Sequence, residues 1–139
     1  MFESSKQIRV RYGETDRMGF VYYGNYTLYY EEARTDAMRK IGLSYKELEE
    51  QGIMLPVVEL HARFIRPAGY DEVLTIKTEL RELPNRKMTF HCEIYNEQNV
   101  LLNFSEVTLM FINKKSKKAC QPPQHLLDKL TPYFESATI

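Results

Sequence analysis

The 139-residue sequence contains no tryptophan, only two cysteines and no excess of either charge, with 19 Lys plus Arg set against 19 Asp plus Glu. Each shortage removes a class of function. Binding to a polyanion draws its affinity from a net basic surface that displaces counterions, and a formal charge of +0 supplies none. Nucleic acid is therefore not an expected partner. A disulfide-stapled scaffold needs several paired cysteines, whereas Cys92 and Cys120 stand far apart and outside any CxxC motif. Both are expected as free thiols, with Cys92 acting as a small apolar side chain inside a strand-like run. No window approaches the run of about 18 apolar residues that a membrane-spanning helix needs. The opening MFESSKQIRV also lacks a basic segment followed by an apolar one. No membrane span is expected, and the expected location is cytoplasmic. Repeats and low-complexity tracts are missing too, so the chain should form one domain over residues 1–139.

What is present is a clear succession of patterns. KQIRVRY alternates apolar and polar residues through Ile8, Val10 and Tyr12, the period-two mark of a strand with one buried face. A glycine-punctuated stretch follows. Tyr26, Tyr29, Tyr30, Ala33, Ala37 and Ile41 then recur at spacings of three and four, which places them on one face of a long helix. Gly42 suits the end of that helix, and Ser44 with Glu47 forms a capping box for a shorter one that closes at Gln51 and Gly52. From Ile53 the chain turns rich in β-branched residues. IMLPVVELHARFI, EVLTIKTEL, KMTFHCEIYN and VLLNFSEVTLMFI read as four further strands, separated by Pro, Gly and Asn turn residues at 66–72, 83–86 and 96–99. Links this short favour antiparallel neighbours. PPQHLLDKLTPYF fits a last short helix, with Leu126, Leu127 and Leu130 packing and Pro132 limiting its length. The order predicts an α+β fold, a five-stranded antiparallel sheet curled around one long central helix.

RYGETDRMGFVYYGNYTLYYEEART resembles the N-terminal signature of the 4-hydroxybenzoyl-CoA thioesterase and YbgC-like branch of the hot-dog-fold acyl-CoA thioesterases. ARFIRPAGYDEVLTI is similar to a later segment of the same family, so the resemblance spans about residues 7 to 113. It implies the hot-dog fold and hydrolysis of an acyl-coenzyme A thioester with no metal or redox cofactor. Asp16 matches the family's catalytic carboxylate, and Tyr23 matches the position whose backbone N–H faces the thioester carbonyl. Gly19, Val21, Tyr22, Asn25 and His61 are the expected substrate-binding residues. Many YbgC-like members carry His where this chain has Tyr23, whereas the 4-hydroxybenzoyl-CoA branch carries Tyr. The resemblance also implies a homo-oligomer, a dimer built by pairing two sheets edge to edge and a homotetramer beyond it. The active site is then expected at the dimer interface.

Thioester hydrolysis places negative charge on the former carbonyl oxygen, so a site needs fixed donors aimed at that oxygen. The first N–H groups of a helix have no internal partners and sit at the positive end of its dipole. A short acidic side chain just upstream can then serve as general base or as nucleophile. Asp16 also suits the plainer task of capping a turn. Similar alternatives attend the other candidates. The tyrosines Tyr22, Tyr26, Tyr29 and Tyr30 suit either core or an acyl pocket, and His61 suits either a pocket wall or a solvated strand face. Glu31 can poise a water or pair with Arg34 on the helix surface. Arg63, Arg66, Arg86, Lys87 and the KKSKK run at 114–118 are candidate phosphate holders, the last equally a solvated turn. His61, His91 and His125 lack ligand-like spacing, so no metal site is expected. Hydrolysis of an acyl carrier protein thioester, or binding of an acyl thioester without catalysis, are the rival functions.

Overall fold

The computed structural model describes residues 1–135. Five strands form one antiparallel sheet: β1 (Phe2–Arg9), β3 (Val57–Phe64), β4 (Val73–Leu80), β5 (Lys87–Tyr95) and β6 (Leu101–Met110), in the spatial order β1-β4-β5-β6-β3. The long helix α1 (Tyr26–Lys40) lies against one face, followed by α2 (Tyr45–Glu50), and α3 (Gln124–Phe134) packs beside β1. Period-two burial explains the sheet. Leu74, Ile76, Thr78 and Leu80 of β4 turn inward beside Met88, Phe90, Cys92 and Ile94 of β5, and the intervening residues are less buried. The helix meets them with Tyr26, Tyr29, Tyr30, Ala33, Ala37 and Met38, all buried, so the tyrosine stripe is largely core. Burying each large apolar side chain contributes about 1.5–3 kcal/mol. A buried polar bond joins helix to sheet, the Tyr30 hydroxyl donating to Asn103 Oδ1 at 2.6 Å.

Three boundaries depart from the sequence reading for local reasons. The first strand begins at Phe2 and ends at Arg9, because the Arg11 N–H turns back onto Glu14 Oε1 and Tyr12 enters a 3-10 turn, Tyr12–Glu14. Pro56, which has no N–H, separates β3 from a two-residue strand β2 (Ile53–Met54). That strand pairs with β7 (Ile112–Asn113) as a separate ribbon, so the second and fifth expected strands each divide in two. Pro132 lies inside α3 instead of ending it. It falls in the last turn, where Leu126 and Leu130 already anchor the helix in the core.

The Lys114–Lys118 segment is a tight turn, held by Asn113 Oδ1 accepting the N–H groups of Lys115 and Ser116. At the sheet's far side β3 is an edge strand, paired only to β6. All eight of its residues are exposed. The other edge, β1, meets α3 through Phe2, whose ring lies 4.9 Å from that of Tyr133.

Candidate active site

Residues 10–25 form a folded loop between β1 and α1. Its geometry follows from a few backbone bonds. Thr15 and Val21 form an antiparallel bridge, closed by the Asp16 N–H donating to the Phe20 carbonyl at 2.8 Å. Gly19 adopts φ of +84° at the tip, a conformation a side chain there would strain. Asp16 fixes the turn further, with Oδ1 accepting the Met18 N–H at 2.9 Å and the Phe20 N–H at 3.4 Å. Among the described residues Oδ2 accepts no hydrogen bond. Asp16, half-buried, thus caps a turn and still has one carboxylate oxygen without a hydrogen bond.

The chain then enters α1 through a second 3-10 turn, Tyr23–Asn25. Tyr23 N–H opens that turn and donates to no carbonyl among the described residues, while Asn25 N–H closes it onto the Tyr22 carbonyl at 2.8 Å. The Asn25 side chain points back to the loop, its Nδ2 donating to the Glu14 carbonyl at 2.9 Å. Gly24 allows the Tyr22 ring to lie against the helix entry, since a Cβ there would stand 2.8 Å from Tyr22 Cε2. Tyr23 is 65% exposed, and its ring leans on Tyr22 and Phe64.

A cleft of ≈ 480 Å³ joins these parts, lined by Asp16, Val21, Tyr23, Tyr26, Phe64 and Arg66 among others. The end of β3 is brought to the loop by the Val21 N–H donating to the Ala68 carbonyl at 2.8 Å, and by a bridge between Phe20 and Gly69. The Tyr26 hydroxyl accepts the Ala68 N–H at 3.2 Å. Burial pushes that hydroxyl's pKa up, the Ala68 N–H opposes the rise, and the Glu72 and Asp16 carboxylates add to it. It remains a neutral donor at the cleft wall.

Of the expected residues, the structure gathers Asp16, Val21 and Tyr23 in the cleft, with Gly19 and Asn25 shaping its loop. His61 is not among them. It faces away from Phe64 by strand parity and lines a separate cavity of ≈ 420 Å³ on the outer sheet face with His91, Glu106 and Arg81. Arg63 lies in that outer cavity too, whereas Arg66 is the cation of the Asp16 cleft. Tyr22 packs behind Tyr23 and does not line the cleft. Met18, Phe20, Phe64, Ile65 and Pro67 complete the lining and were not singled out in the sequence. The RFIRP string held the signal for the last three, but only the long-range contact at Ala68 shows its use. Among the described residues no group of three or more His, Cys, Asp or Glu is placed to hold a metal ion.

Comparison with known proteins decides the family. Residues 10–130 match the model of the thioesterase-like superfamily. The chain belongs to that superfamily. The acyl-CoA thioester hydrolase YbgC of Escherichia coli is 30% identical over 120 residues, 86% of this chain and 90% of its own. The acyl-CoA thioesterase YbgC of Helicobacter pylori is 32% identical over 116 residues, 78% of this chain and 85% of its own. Among solved structures, the DHNA-CoA thioesterase of Staphylococcus aureus superposes with a TM-score of 0.88 at 31% identity, covering 100% of this chain and 97% of that one. The sheet and central helix are therefore the hot-dog fold, and the protein is a thioester hydrolase acting on acyl-CoA. No helix of this thioesterase among the described residues is long and apolar enough to cross a membrane.

Proposed function

We propose that this thioesterase cleaves acyl-CoA with Asp16 as the group that activates or delivers the nucleophile and the Tyr23 N–H as the donor to the developing oxyanion. One observation carries the reading: a half-engaged carboxylate and an unpaired helix-entry amide belong to the same cleft. In the general-base route Asp16 Oδ2 takes a proton from water as its oxygen bonds to the thioester carbon. The carbonyl oxygen becomes negative and receives the Tyr23 N–H. Collapse of the tetrahedral species restores the carbonyl, breaks the carbon–sulfur bond and releases the CoA thiolate, which is protonated from Asp16. In the nucleophilic route the carboxylate attacks the thioester carbon, the carbon–sulfur bond breaks with loss of the CoA thiolate, and water hydrolyses the mixed anhydride to the free acid, restoring the Asp16 carboxylate and releasing the proton that the thiolate takes. Neither route calls on a metal or redox group. Arg66 at the cleft is the cation for a CoA phosphate.

The chain acts as a single hot-dog domain over residues 1–139, in the cytoplasm, as a homodimer paired through β3 and, following the family resemblance, a homotetramer of two such dimers. The apolar residues Val57, Val58, Leu60 and Phe64 exposed along β3 support the edge pairing. Acyl-CoA hydrolysis by Asp16→Asn and Asp16→Ala tests the chemistry. A loss of about 10²-fold or more is expected from removing the base, and activity within a few-fold of the parent refutes the role. Mass measurement by light scattering tests the assembly, and a fully active monomer refutes it.

A further inference from the structure

The Asp16 cleft contains a proton donor that the proposed chemistry leaves without a task. Tyr26 lines that cleft, and its hydroxyl oxygen accepts the Ala68 N–H at 3.2 Å. That bond uses the oxygen alone. A phenol also carries a proton, and among the described residues the one on Tyr26 meets no acceptor. Holding the 66–69 segment in place does not call for it. The Val21 N–H already donates to the Ala68 carbonyl at 2.8 Å, and Glu72 Oε2 accepts the Gly69 N–H. Pinning the Ala68 N–H takes an acceptor only, whereas a phenol brings a donor as well.

The ring that carries this proton is held still. Tyr26 is 4% exposed, and its ring centroid lies 5.4 Å from that of Phe64 and 5.9 Å from that of Tyr29. Its place on the chain sets its direction. Tyr26 follows Tyr23 by one turn at the helix entry, and helical side chains lean back towards the N-terminus. The phenol and the unpaired Tyr23 N–H therefore belong to one end of the helix and to one cleft. Asp16 lines the same cleft, and among the described residues no hydrogen bond joins it to Tyr26, so a group lying there can contact both. Burial pushes the phenol's pKa up, with the Ala68 N–H opposing and the Glu72 and Asp16 carboxylates adding to the rise. It acts by donating its proton's bond, not the proton. An oxyanion has lone pairs for more than one donor, and a donor fixed in advance needs no reorganisation when the charge appears.

We propose that the Tyr26 hydroxyl donates to the thioester carbonyl oxygen beside the Tyr23 N–H, as a second donor to the developing oxyanion. The inference rests on the thioesterase reading of the Asp16 cleft and adds a catalytic side chain to it. No covalent bond to Tyr26 forms or breaks. As the nucleophile bonds to the carbonyl carbon, negative charge grows on the oxygen and the phenol's hydrogen bond strengthens with it. When the carbon–sulfur bond breaks, the carbonyl returns and the bond relaxes, with the proton on Tyr26 throughout.

The test separates donation from support of the fold. The substrate is whichever of acetyl-CoA, hexanoyl-CoA and benzoyl-CoA the parent cleaves fastest. Tyr26→Phe should lower kcat by about 10²-fold and leave KM within a few-fold, because a donor aimed at the oxyanion counts most in the transition state. Phenylalanine also strips the Ala68 N–H of its acceptor, so a second readout is taken from the bound carbonyl itself. Asp16→Asn is loaded with the same thioester, isotope-labelled at the carbonyl carbon, and the C=O stretch is read by infrared difference spectroscopy. Adding Tyr26→Phe should move that band to higher wavenumber. Difluorotyrosine in place of Tyr26, a more acidic phenol of nearly the same shape, should move it lower and keeps the measurement possible where the phenylalanine variant does not fold. A kcat within a few-fold of the parent in Tyr26→Phe, or a band unmoved by these replacements, overturns the inference alone. A parent inert on all three thioesters overturns the thioesterase reading and this inference with it.

Discussion

Glu14 ties both ends of the Asp16 loop to one residue, and removing its charge should loosen the site measurably. Its Oε1 accepts the Arg11 N–H at 2.8 Å and the Tyr29 hydroxyl at 2.9 Å, and its Oε2 meets Arg11 Nη2 at 3.2 Å. Its backbone carbonyl accepts from Tyr22 N–H and Asn25 Nδ2, both at 2.9 Å. Glu14→Gln keeps the shape and the main-chain bonds but makes the side-chain bonds neutral. Charge-assisted bonds are roughly twice as strong as neutral ones. The Arg11 side chain is 80% exposed, so its ion pair adds little, and the buried side of the carboxylate carries the effect. The expected loss is about 1–2 kcal/mol, or a fall in Tm of roughly 3–8 °C at fixed protein concentration.

The pH dependence separates charge from shape. Burial raises the Glu14 pKa, but the Arg11 N–H, the Tyr29 hydroxyl and the Arg11 guanidinium outweigh it and hold the carboxyl below the ordinary carboxylate range. A carboxyl with a depressed folded pKa contributes stability that is present above the unfolded value and lost as pH falls through the folded one. The stability gap between the parent and Glu14→Gln should therefore be full at neutral pH and shrink as pH falls into and below the ordinary carboxylate range. Urea denaturation at pH steps from neutral to acid reads this directly. A gap that is absent at neutral pH, or that persists unchanged in acid, refutes the account.

Further outcomes follow from buried or outward groups. Tyr30→Phe removes the one side-chain hydrogen bond that Asn103 makes among the described residues; its Nδ2 is already unpaired there and it is 0% exposed, so the change should cost about 1–3 kcal/mol in urea denaturation. Replacing Asn103 by Leu in the same chain should recover part of that loss. Cys92 is buried and burial pushes its thiol up, so a disulfide reagent should modify Cys120 in the native protein and both thiols only after unfolding. Tyr23→Phe should leave kcat/KM within a few-fold, because the proposed donor is the main-chain N–H and the ring points outward.

The sheet and the main helix were legible because their periods are carried by single segments. Leu74, Ile76 and Leu80 alternate within one strand, and Tyr26, Tyr30, Ala33 and Ala37 recur within one helix. The Asp16 loop was legible through a compact run of residues, whose turn the Met18 and Phe20 N–H groups now explain. What the sequence hid depends on pairing across the chain. The parity of His61 relative to Phe64 is plain in the string, but which parity faces the cleft depends on the Val21–Ala68 bond. Arg34 read as half of a surface pair by its spacing from Glu31, yet the helix rotates it into the interior. Spacing along a helix fixes which residues share a face, not which face the sheet covers.

Two features that are unfavourable in a lone chain converge on β3. The strand exposes Val57, Val58, Leu60 and Phe64 along an unpaired edge, a surface that soluble proteins ordinarily cover or charge to prevent uncontrolled association. At the end of that strand the Asp16 carboxylate is engaged through a single oxygen. Covering the edge with a second copy answers the first and sets the seam beside the Asp16 cleft, because Phe64 at the end of β3 lines that cleft. A substrate bound beside Asp16 answers the second. Edge pairing and substrate binding should therefore be linked, with substrate strengthening the dimer by the same factor by which dimerisation strengthens substrate binding. A charge placed on the strand, as in Leu60→Lys, should weaken the dimer and raise KM together, and a monomeric variant with unchanged KM would break that link.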